Sequence, residues 1–298
     1  MSIANDNSQD VSGRKEKWGQ ARRLEFIDSR LLWDGHVNRS DLTDFFHISP
    51  PQATLDLAEY VKRAPGNVYY DPRQKSYLAS PSFKAVLADS SSSRYLAELY
   101  ALRTSILGPD LSFLGALPAA EVVRSPARAV NSTLLRDTLH AIRERRFLLI
   151  TYQTMARSEP DQRQVSPVAL GYDGFRWHIR AFCHVRNEYR DFVFARVLSA
   201  ALAGSTQVSI DNDIEWKRMI DITIAPNPDL SEGAKRVIEL DYGMIDGKLT
   251  IACRQAMGYY LLTRLGLRDD DFRTGKVQQV ILVNRFELAK YLPGLIRA

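Results

Sequence analysis

The stretch GFRWHIRAFCHVRNEYRDF, residues 174–192, alternates apolar and charged side chains too regularly for a loop. Its odd-numbered positions are apolar, namely Phe175, Trp177, Ile179, Ala181, Cys183 and Val185. Its even-numbered positions are mostly cationic or titratable, namely Arg176, His178, Arg180, Phe182, His184 and Arg186. Because successive side chains of a strand point to opposite faces, the pattern predicts a strand with one face in a core. The alternation alone favours a second face in contact with water, as antiparallel sheets commonly have.

A turn around Asn187 and Glu188 is expected to return the chain as a second strand that carries Arg190 and Arg196. A three-residue loop would place these two arginines on the cationic face, whereas a two-residue loop would place them on the opposite face. The residues alone do not choose between these registers.

The sequence contains no recognisable catalytic or metal-binding set of residues. Cys183 adjoins His184, but neighbours in a strand point to opposite faces and cannot form a nucleophile and base pair. His178 and His184 share a face but lie about 20 Å apart at the rise of a strand, too far to bind one metal ion. The chain also has no GxSxG, P-loop, HExxH or dinucleotide-binding motif. We therefore expect no enzyme, no metal site and no cofactor.

Composition points to a cytoplasmic protein that binds an anionic partner. The 298 residues include two cysteines, and no segment approaches the length of a membrane span. The net charge is +5, and most of the excess lies in residues 122–197, with 13 basic and 7 acidic side chains. Residues 85–216 contain no lysine, so every cation there is an arginine, whose planar fork suits phosphate or carboxylate.

Patterning along the chain predicts an α+β multidomain protein. Residues 1–13 are polar and without periodicity, which favours a disordered tail. A helix from Lys15 to Leu32 is followed by two short helices, the first capped by Ser40 and the second beginning with Pro50. Two short helices separated by a tight break indicate a helix-turn-helix, and the hairpin predicted in NVYYDPRQKSYLA, residues 67–79, would be its wing. The five predicted regions are a tail (1–13), a winged helix-turn-helix (14–80), a helical connector (81–130), a small bent sheet or barrel (131–205) and an α+β extension (206–298).

The quoted stretch carries a family resemblance. Residues 131–197 resemble a WYL domain, a small SH3/Sm-like β-barrel named for a Trp-Tyr-Leu tripeptide that appears here as Trp177-His178-Ile179. The further matches are Tyr152, Ser166-Pro167, Leu170, Ala181, Cys183, Arg186, Arg190-Asp191-Phe192 and Arg196. Three positions depart from the pattern: His178 replaces the usual tyrosine, Val193 stands where many members have arginine, and Ala195 stands where aspartate is common.

The order of regions resembles bacterial WYL-domain transcription regulators over nearly the whole chain, and most closely the repressors beside phage-defence operons. The resemblance implies a homodimer, formed through the C-terminal extension, that binds an inverted-repeat operator in double-stranded DNA. It also implies a WYL domain that senses a nucleotide or nucleic-acid-derived effector. The expected effector contacts are Tyr152, Ser166, Trp177, His178, His184, Arg190 and Arg196.

DNA contacts are expected on the second helix of the helix-turn-helix and on the wing. The first residues of a recognition helix enter the major groove, so Gln52 and Thr54 are the candidates for base edges. The candidates for phosphate contacts and for support of the helix-turn-helix are Ser40, Lys62, Arg63, Arg73 and Lys75. The alternative is an accessory protein whose WYL surface binds single-stranded DNA or RNA for a partner enzyme.

Overall fold

The computed structural model describes residues 7–124, 126, 130–268 and 278–296, with only the backbone described for residues 7–17. The chain forms two compact units, Met1–Arg124 and Ser125–Ala298. Within the described residues, no helix is both long and apolar enough to cross a membrane.

The first unit is a winged helix-turn-helix. Its helices are α1 (Asn7–Trp33), α2 (Arg39–Phe46), α3 (Pro50–Arg63) and α4 (Ser92–Arg103). Its strands are β1 (His36–Val37), β2 (Val68–Asp71) and β3 (Ser76–Ala79), and they form an antiparallel sheet in the order β1-β3-β2. The wing predicted at residues 67–79 is the β2–β3 hairpin. The two-residue strand β1, which completes its sheet, was not predicted.

Two sequence expectations need correction at the start of this unit. Residues 7–13, expected in a disordered tail, are the first turns of α1, and residues 1–6 lie outside the described part. The N-cap of α2 is Asn38 and not Ser40. Asn38 accepts from the backbone N–H of Asp41 at 3.0 Å, and Asp41 accepts from the N–H of Asn38 at 2.7 Å. This reciprocal capping box satisfies two donors, which a cap at Ser40 would not achieve.

The recognition helix α3 begins as the sequence predicts. Ser49 is its N-cap and accepts from the N–H of Gln52 at 3.4 Å, while prolines fill the first two helical positions. Proline is favoured there because its missing N–H would have no partner in the first turn anyway. Ala53, Leu57 and Tyr60 point into the core of the unit, where they pack with α1 and α2.

A buried carboxylate joins this core to the segment that leaves the wing. Asp28 of α1 is fully buried and accepts a hydrogen bond from the hydroxyl of Tyr60. Its second oxygen accepts from the backbone N–H groups of Val86, Leu87 and Ala88 at 2.8, 2.6 and 2.7 Å. Four donors thus replace the water that an ionised carboxylate requires.

The connector is less helical than the sequence predicts. Within residues 81–124 the structure contains α4, capped by Ser91, and a single 3₁₀ turn at Pro109–Leu111. The rest of these residues form turns and extended chain. Residues 125 and 127–129, which fall in the predicted connector, lie outside the described part.

The second unit opens with α5 (Ser132–Glu144) and a five-stranded antiparallel sheet. The strands are β4 (Arg146–Tyr152), β5 (Asp161–Tyr172), β6 (Trp177–Cys183), β7 (Glu188–Val193) and β8 (Val197–Ser205), in the order β7-β6-β5-β4-β8. Helix α5 packs on this sheet around a core that includes Leu134, Leu148, Ile179 and Phe192. Among the described residues β7 and β8 do not pair with each other, so the sheet is open and not the closed barrel expected from the sequence.

The unit continues into an α+β region of the predicted composition. It contains α6 (Ile214–Lys217), β9 (Met219–Pro226), α7 (Glu232–Tyr242), β10 (Leu249–Arg254), α8 (Gln255–Arg264), β11 (Val280–Leu282) and α9 (Arg285–Leu288). The strands form an antiparallel sheet in the order β10-β9-β11, and Ile222, Ile224 and Leu262 lie at the centre of its core.

Candidate functional site

The outer face of α3 is exposed and largely uncharged. Thr54, Leu55, Ala58 and Val61 lie on it, and Leu55 is 63% exposed. The hydroxyl of Thr54 donates to the carbonyl of Pro50 at 3.0 Å, which leaves its oxygen lone pairs facing outward. This face is the part of the helix-turn-helix that can approach a base edge.

Gln52, the other predicted base-reading residue, is already engaged. Its side-chain amide donates to Oδ1 of the fully buried Asp56 at 3.2 Å. Arg23 of α1 donates to the other oxygen of Asp56 at 2.6 Å, so the three side chains form one network. Gln52 therefore satisfies a buried acceptor, and its amide would have to leave Asp56 before it could contact a base.

The predicted phosphate contacts flank this face on exposed surface. Lys62 lies in the last turn of α3, Arg73 and Lys75 lie in the turn of the wing, and all three are exposed to water. Arg63 donates to Glu59 at 2.7 Å, and this hydrogen bond lowers the pKa of the Glu59 carboxyl. Ser40 is exposed in the first turn of α2, where its hydroxyl donates to the Asn38 side chain at 2.6 Å. Sequence reasoning missed Arg39, an exposed cation beside Ser40 in that first turn.

The register of the β6–β7 hairpin decides where Arg190 lies. Arg180 pairs with Asp191, and Ala181 pairs with Arg190, through a four-residue connection of residues 184–187. Cross-strand partners share a face, so Arg190 lies opposite to Arg180 and His178. Arg196 falls beyond the end of β7, in a 3₁₀ turn at Phe194–Arg196. The structure therefore does not bring the two arginines to the polar face of β6.

Tyr152 is a core residue in this structure. Its side chain is buried, it meets the ring of Phe192 edge to face at 5.1 Å, and its hydroxyl accepts from the backbone N–H of Val193 at 3.1 Å. The hydroxyl thus satisfies the last donor of β7, where the ladder ends.

Ser166 and His184 are two predicted effector residues that do come together. Oγ of Ser166 and Nε2 of His184 are 2.8 Å apart, and Ser166 also donates to Oγ1 of Thr206 at 3.0 Å. The rings of Phe147 and Phe182 pack against the imidazole at 4.9 and 5.2 Å. Burial lowers the pKa of His184, which favours its neutral form.

His178 is buried under the C-terminal part of the unit. It is 2% exposed, its Nε2 lies 2.9 Å from Oδ2 of Asp173, and its ring lies 4.7 Å from that of Tyr260 in α8. Burial alone would raise the pKa of Asp173, but hydrogen bonds from His178, Arg176 and the backbone bring it well below its usual range. The other imidazole nitrogen, Nδ1, is buried without a hydrogen-bond partner.

Arg180 is the most heavily paired cation of this face and is only 3% exposed. It donates to both oxygens of Asp213 at 2.6 and 3.0 Å, to Glu215 at 2.9 Å and to Asp191 at 3.4 Å. Desolvation by burial would lower the pKa of Arg180, but these carboxylates raise it above its usual value. Burial also raises the pKa of Asp191, although Arg180 and Tyr260 counteract this effect. The interpretation of this face as solvated is therefore wrong for His178 and Arg180. Asp173 and Tyr260 contact His178, while Asp191, Asp213 and Glu215 pair with Arg180.

A cavity of about 390 Å³ lies beside this cluster, between the β6–β7 hairpin, α8 and residues 291–293. Its charged wall includes Arg176, Arg180, Asp191, Glu215 and Arg268, and its aromatic wall includes Tyr259, Tyr260 and Tyr291.

Comparison with known proteins assigns these regions to families. Residues 19–101 match the BrxR transcriptional regulator winged helix-turn-helix domain, residues 133–202 the WYL domain, and residues 219–288 the BrxR transcriptional regulator C-terminal dimerization domain. Over 277 residues the chain is 43% identical to the DNA-binding transcriptional repressor CapW of Stenotrophomonas maltophilia, and the match covers 93% of both chains.

The chain belongs to the CapW family of transcriptional repressors. A second CapW, from Pseudomonas aeruginosa, is 41% identical over 285 residues and is matched over 95% of both chains. The CapW family match confirms the resemblance to WYL-domain regulators drawn from the quoted stretch.

Among solved structures, the proteasome accessory factor B/C of Arthrobacter aurescens aligns with 93% of this chain and 48% of its own at 16% identity. The TM-score of this alignment is 0.23.

Proposed function

We propose that this chain is a sequence-specific DNA-binding repressor that acts as a homodimer on an inverted repeat. The observation that carries the proposal is the exposed face of α3, flanked by the exposed cations Lys62, Arg73 and Lys75, on a winged helix-turn-helix. Such a face can enter the major groove while the flanking cations contact phosphates. Membership of the CapW family and the match to a dimerization domain support the same function.

Specific roles follow for the residues of this surface. Thr54 faces the bases, and Gln52 joins it when its amide leaves Asp56. Lys62 and Arg63 hold phosphates beside α3, Arg73 and Lys75 hold them at the wing, and Ser40 does so at the first turn of α2. A pair of such surfaces related by a twofold axis reads two half-sites of opposite orientation, which is why the expected operator is an inverted repeat.

Selection of bound duplexes from a random DNA pool by the full-length protein tests this function. We expect enrichment of one inverted repeat, with an affinity that falls steeply as salt rises. Equal binding of all sequences would reject specific repression, and a single enriched half-site without its inverted copy would reject the dimeric operator.

We further propose that the repressor controls a phage-defence operon and that its WYL domain senses a nucleotide or nucleic-acid-like effector. The arginine-only cations of residues 85–216 support an anionic ligand. In the proposed mechanism the effector binds two conformations of the dimer with different affinity, because only a differential affinity can change DNA binding. Among the proposed effector contacts, Ser166 and His184 form an adjacent pair, and Trp177 and Arg190 are exposed.

One observation favours the alternative of an accessory protein that binds single strands. Tyr172 and Trp177 are 51% and 47% exposed, and their rings lie 5.0 Å apart as a cross-strand pair beside exposed Phe175. Exposed aromatic rings near arginines can stack on unpaired bases without reading sequence. Tight binding of any single strand, together with the absence of an enriched duplex, would favour this function over repression.

A further inference from the structure

The cavity beside Arg180 has the size and the wall chemistry of a small-ligand site. Its volume of about 390 Å³ lies in the range of pockets that hold a molecule the size of a nucleotide. The first strand of its wall, β6, belongs to the WYL region, and α8 belongs to the C-terminal region. None of the seven effector contacts predicted from the sequence lines it.

Two arginines at the cavity, Arg176 and Arg268, have N–H donors that can bind a ligand. Arg176 uses Nε for Asp173 at 2.9 Å, and its side chain is 33% exposed. Arg268 is exposed on the far side, with its guanidinium 5.7 Å from the ring centre of Tyr259. A guanidinium carries five N–H donors in a planar fork, which matches two oxygens of a phosphate group.

Glu215 occupies the place that an external anion would take. Its carboxylate accepts from Nη2 of Arg180 at 2.9 Å, yet its side chain is 52% exposed. Asp213, by contrast, is buried and holds Arg180 from the other side through two hydrogen bonds. The buried partner is structural, whereas the exposed one can be displaced at low cost because water solvates the released carboxylate.

The remaining wall suits a heterocyclic base. The rings of Tyr259, Tyr260 and Tyr291 border the cavity, and aromatic faces of this kind stack on bases. Asp191 accepts from the hydroxyl of Tyr260 at 3.1 Å and, as a carboxylate, can accept a further hydrogen bond from an amino or imino group of a base.

We propose that this cavity binds a nucleoside monophosphate, either free or as the terminal nucleotide of a single strand. The phosphate binds Arg268 and Arg176 and replaces Glu215 at Arg180, while the base lies against the tyrosine rings and Asp191. Glu215 lies in α6, which leads directly into β9 of the dimerization domain, so its displacement couples ligand binding to dimer geometry while Asp213 keeps the start of α6 at Arg180. The inference rests on the proposed function, for which it narrows the effector to a nucleoside monophosphate and supplies a candidate site separate from Ser166, His184, Trp177 and Arg190.

Calorimetric titration of the full-length protein with 5′-AMP and 5′-GMP tests the site. We expect saturable binding by the unmodified protein and binding about tenfold tighter by Glu215→Gln, because the competing charged hydrogen bond to Arg180 is weakened. Glu188→Gln is the matched control, since Glu188 is an exposed glutamate paired with Arg190 at 3.0 Å and does not line the cavity. Arg268→Gln should weaken binding about tenfold, while Arg236→Gln on exposed α7 should not change it.

Further titrations identify the ligand source and can overturn the proposal. Tighter binding of a 5′-phosphorylated single-stranded tetranucleotide identifies a strand end, and tighter binding of the mononucleotide identifies a free nucleotide. Inorganic phosphate that binds as tightly as either would overturn the nucleotide assignment. Equal affinities of Glu215→Gln and Glu188→Gln, with both variants folded by circular dichroism, would overturn the site itself.

Operator binding by the same preparations separates this inference from the proposed function. Absence of nucleotide binding by a protein that selects an inverted repeat would remove only the cavity proposal. Failure to select any duplex would remove the repressor function, whatever the nucleotide titration shows.

Discussion

The cations of the recognition surface and those of β6 look alike in sequence but have opposite environments. Lys62, Arg73 and Lys75 are exposed to water. Arg180, in contrast, is 3% exposed and hydrogen-bonded to three carboxylates. A cation that binds a phosphate at an open surface needs free donors, whereas a buried cation needs a partner for its donors until a ligand takes the place of one partner. The comparison shows that clustered positive charge predicts a ligand surface only when the acidic partners are also located.

The largest difference between a buried and an exposed cation should appear in the free energy of unfolding. Arg180→Met leaves the buried carboxylate of Asp213 without its bidentate partner, so we expect a loss of about 3–5 kcal/mol in the free energy of unfolding. Arg190→Met, on the exposed side of the same hairpin, should cost less than about 1 kcal/mol. Urea denaturation measures both values, and equal losses would show that Arg180 does not have the structural role described above.

Removal of an exposed cation should affect DNA binding and leave stability unchanged. Lys62→Ala and Arg73→Ala should each weaken operator binding about tenfold and reduce the slope of log affinity against log salt by about 1. Lys248→Ala, an exposed lysine of the second unit, is the control and should leave the slope unchanged. Filter binding across a salt series provides the measurement, and an unaltered slope for Lys62→Ala would remove that lysine from the DNA surface.

A smaller difference in stability is expected between substitutions of Gln52 and Thr54, the two candidates for base contacts on α3. Gln52→Ala removes a donor from buried Asp56 and should lower the free energy of unfolding by about 1 kcal/mol. Thr54→Ala should leave stability nearly unchanged but alter which bases are selected at one position of each half-site. Denaturation together with duplex selection distinguishes them, and an unchanged preference for Thr54→Ala would exclude Thr54 from base contact.

The smallest expected effect is a pH dependence from His184. Its pKa is lowered by burial, so in mildly acidic solution the unfolded chain binds a proton that the folded chain does not. Stability should therefore fall as pH decreases through the ordinary histidine range near 6.5. In His184→Gln this part of the pH dependence should disappear, whereas His140→Gln, in α5, should retain it. Unfolding at pH 7.5 and 5.5 gives the comparison, and the same slope in both variants would contradict it.

Local signals in the sequence predicted much of the fold. The prolines that start α3 and the alternation along β6 are both determined by neighbouring residues, and both predictions are confirmed. The cap of α2 was misplaced because Asn38 and Ser40 are both good capping residues, and only Asn38 has a partner three positions later in Asp41.

Contacts between distant residues explain what sequence patterns could not show about the site. The partners that bury Arg180 lie 33 and 35 residues further along the chain, in a segment with no recognisable pattern. The β6–β7 register depends on a connection of four residues, whereas the sequence analysis considered loops of two and three residues. The cavity residues Tyr259, Tyr260 and Arg268 lie in or near α8, in the region that the sequence predicted only as an α+β extension.

The carboxylate of Asp28 has a mechanical consequence for the first unit. It holds three consecutive backbone N–H groups of residues 86–88 and the hydroxyl of Tyr60 at the same time. Displacement of residues 86–88 would therefore break hydrogen bonds to the same carboxyl group that contacts Tyr60 of α3, so this segment is coupled to α1 and α3 together. Residues 86–88, which follow the wing, are thus fixed to the recognition helix through Asp28 and Tyr60.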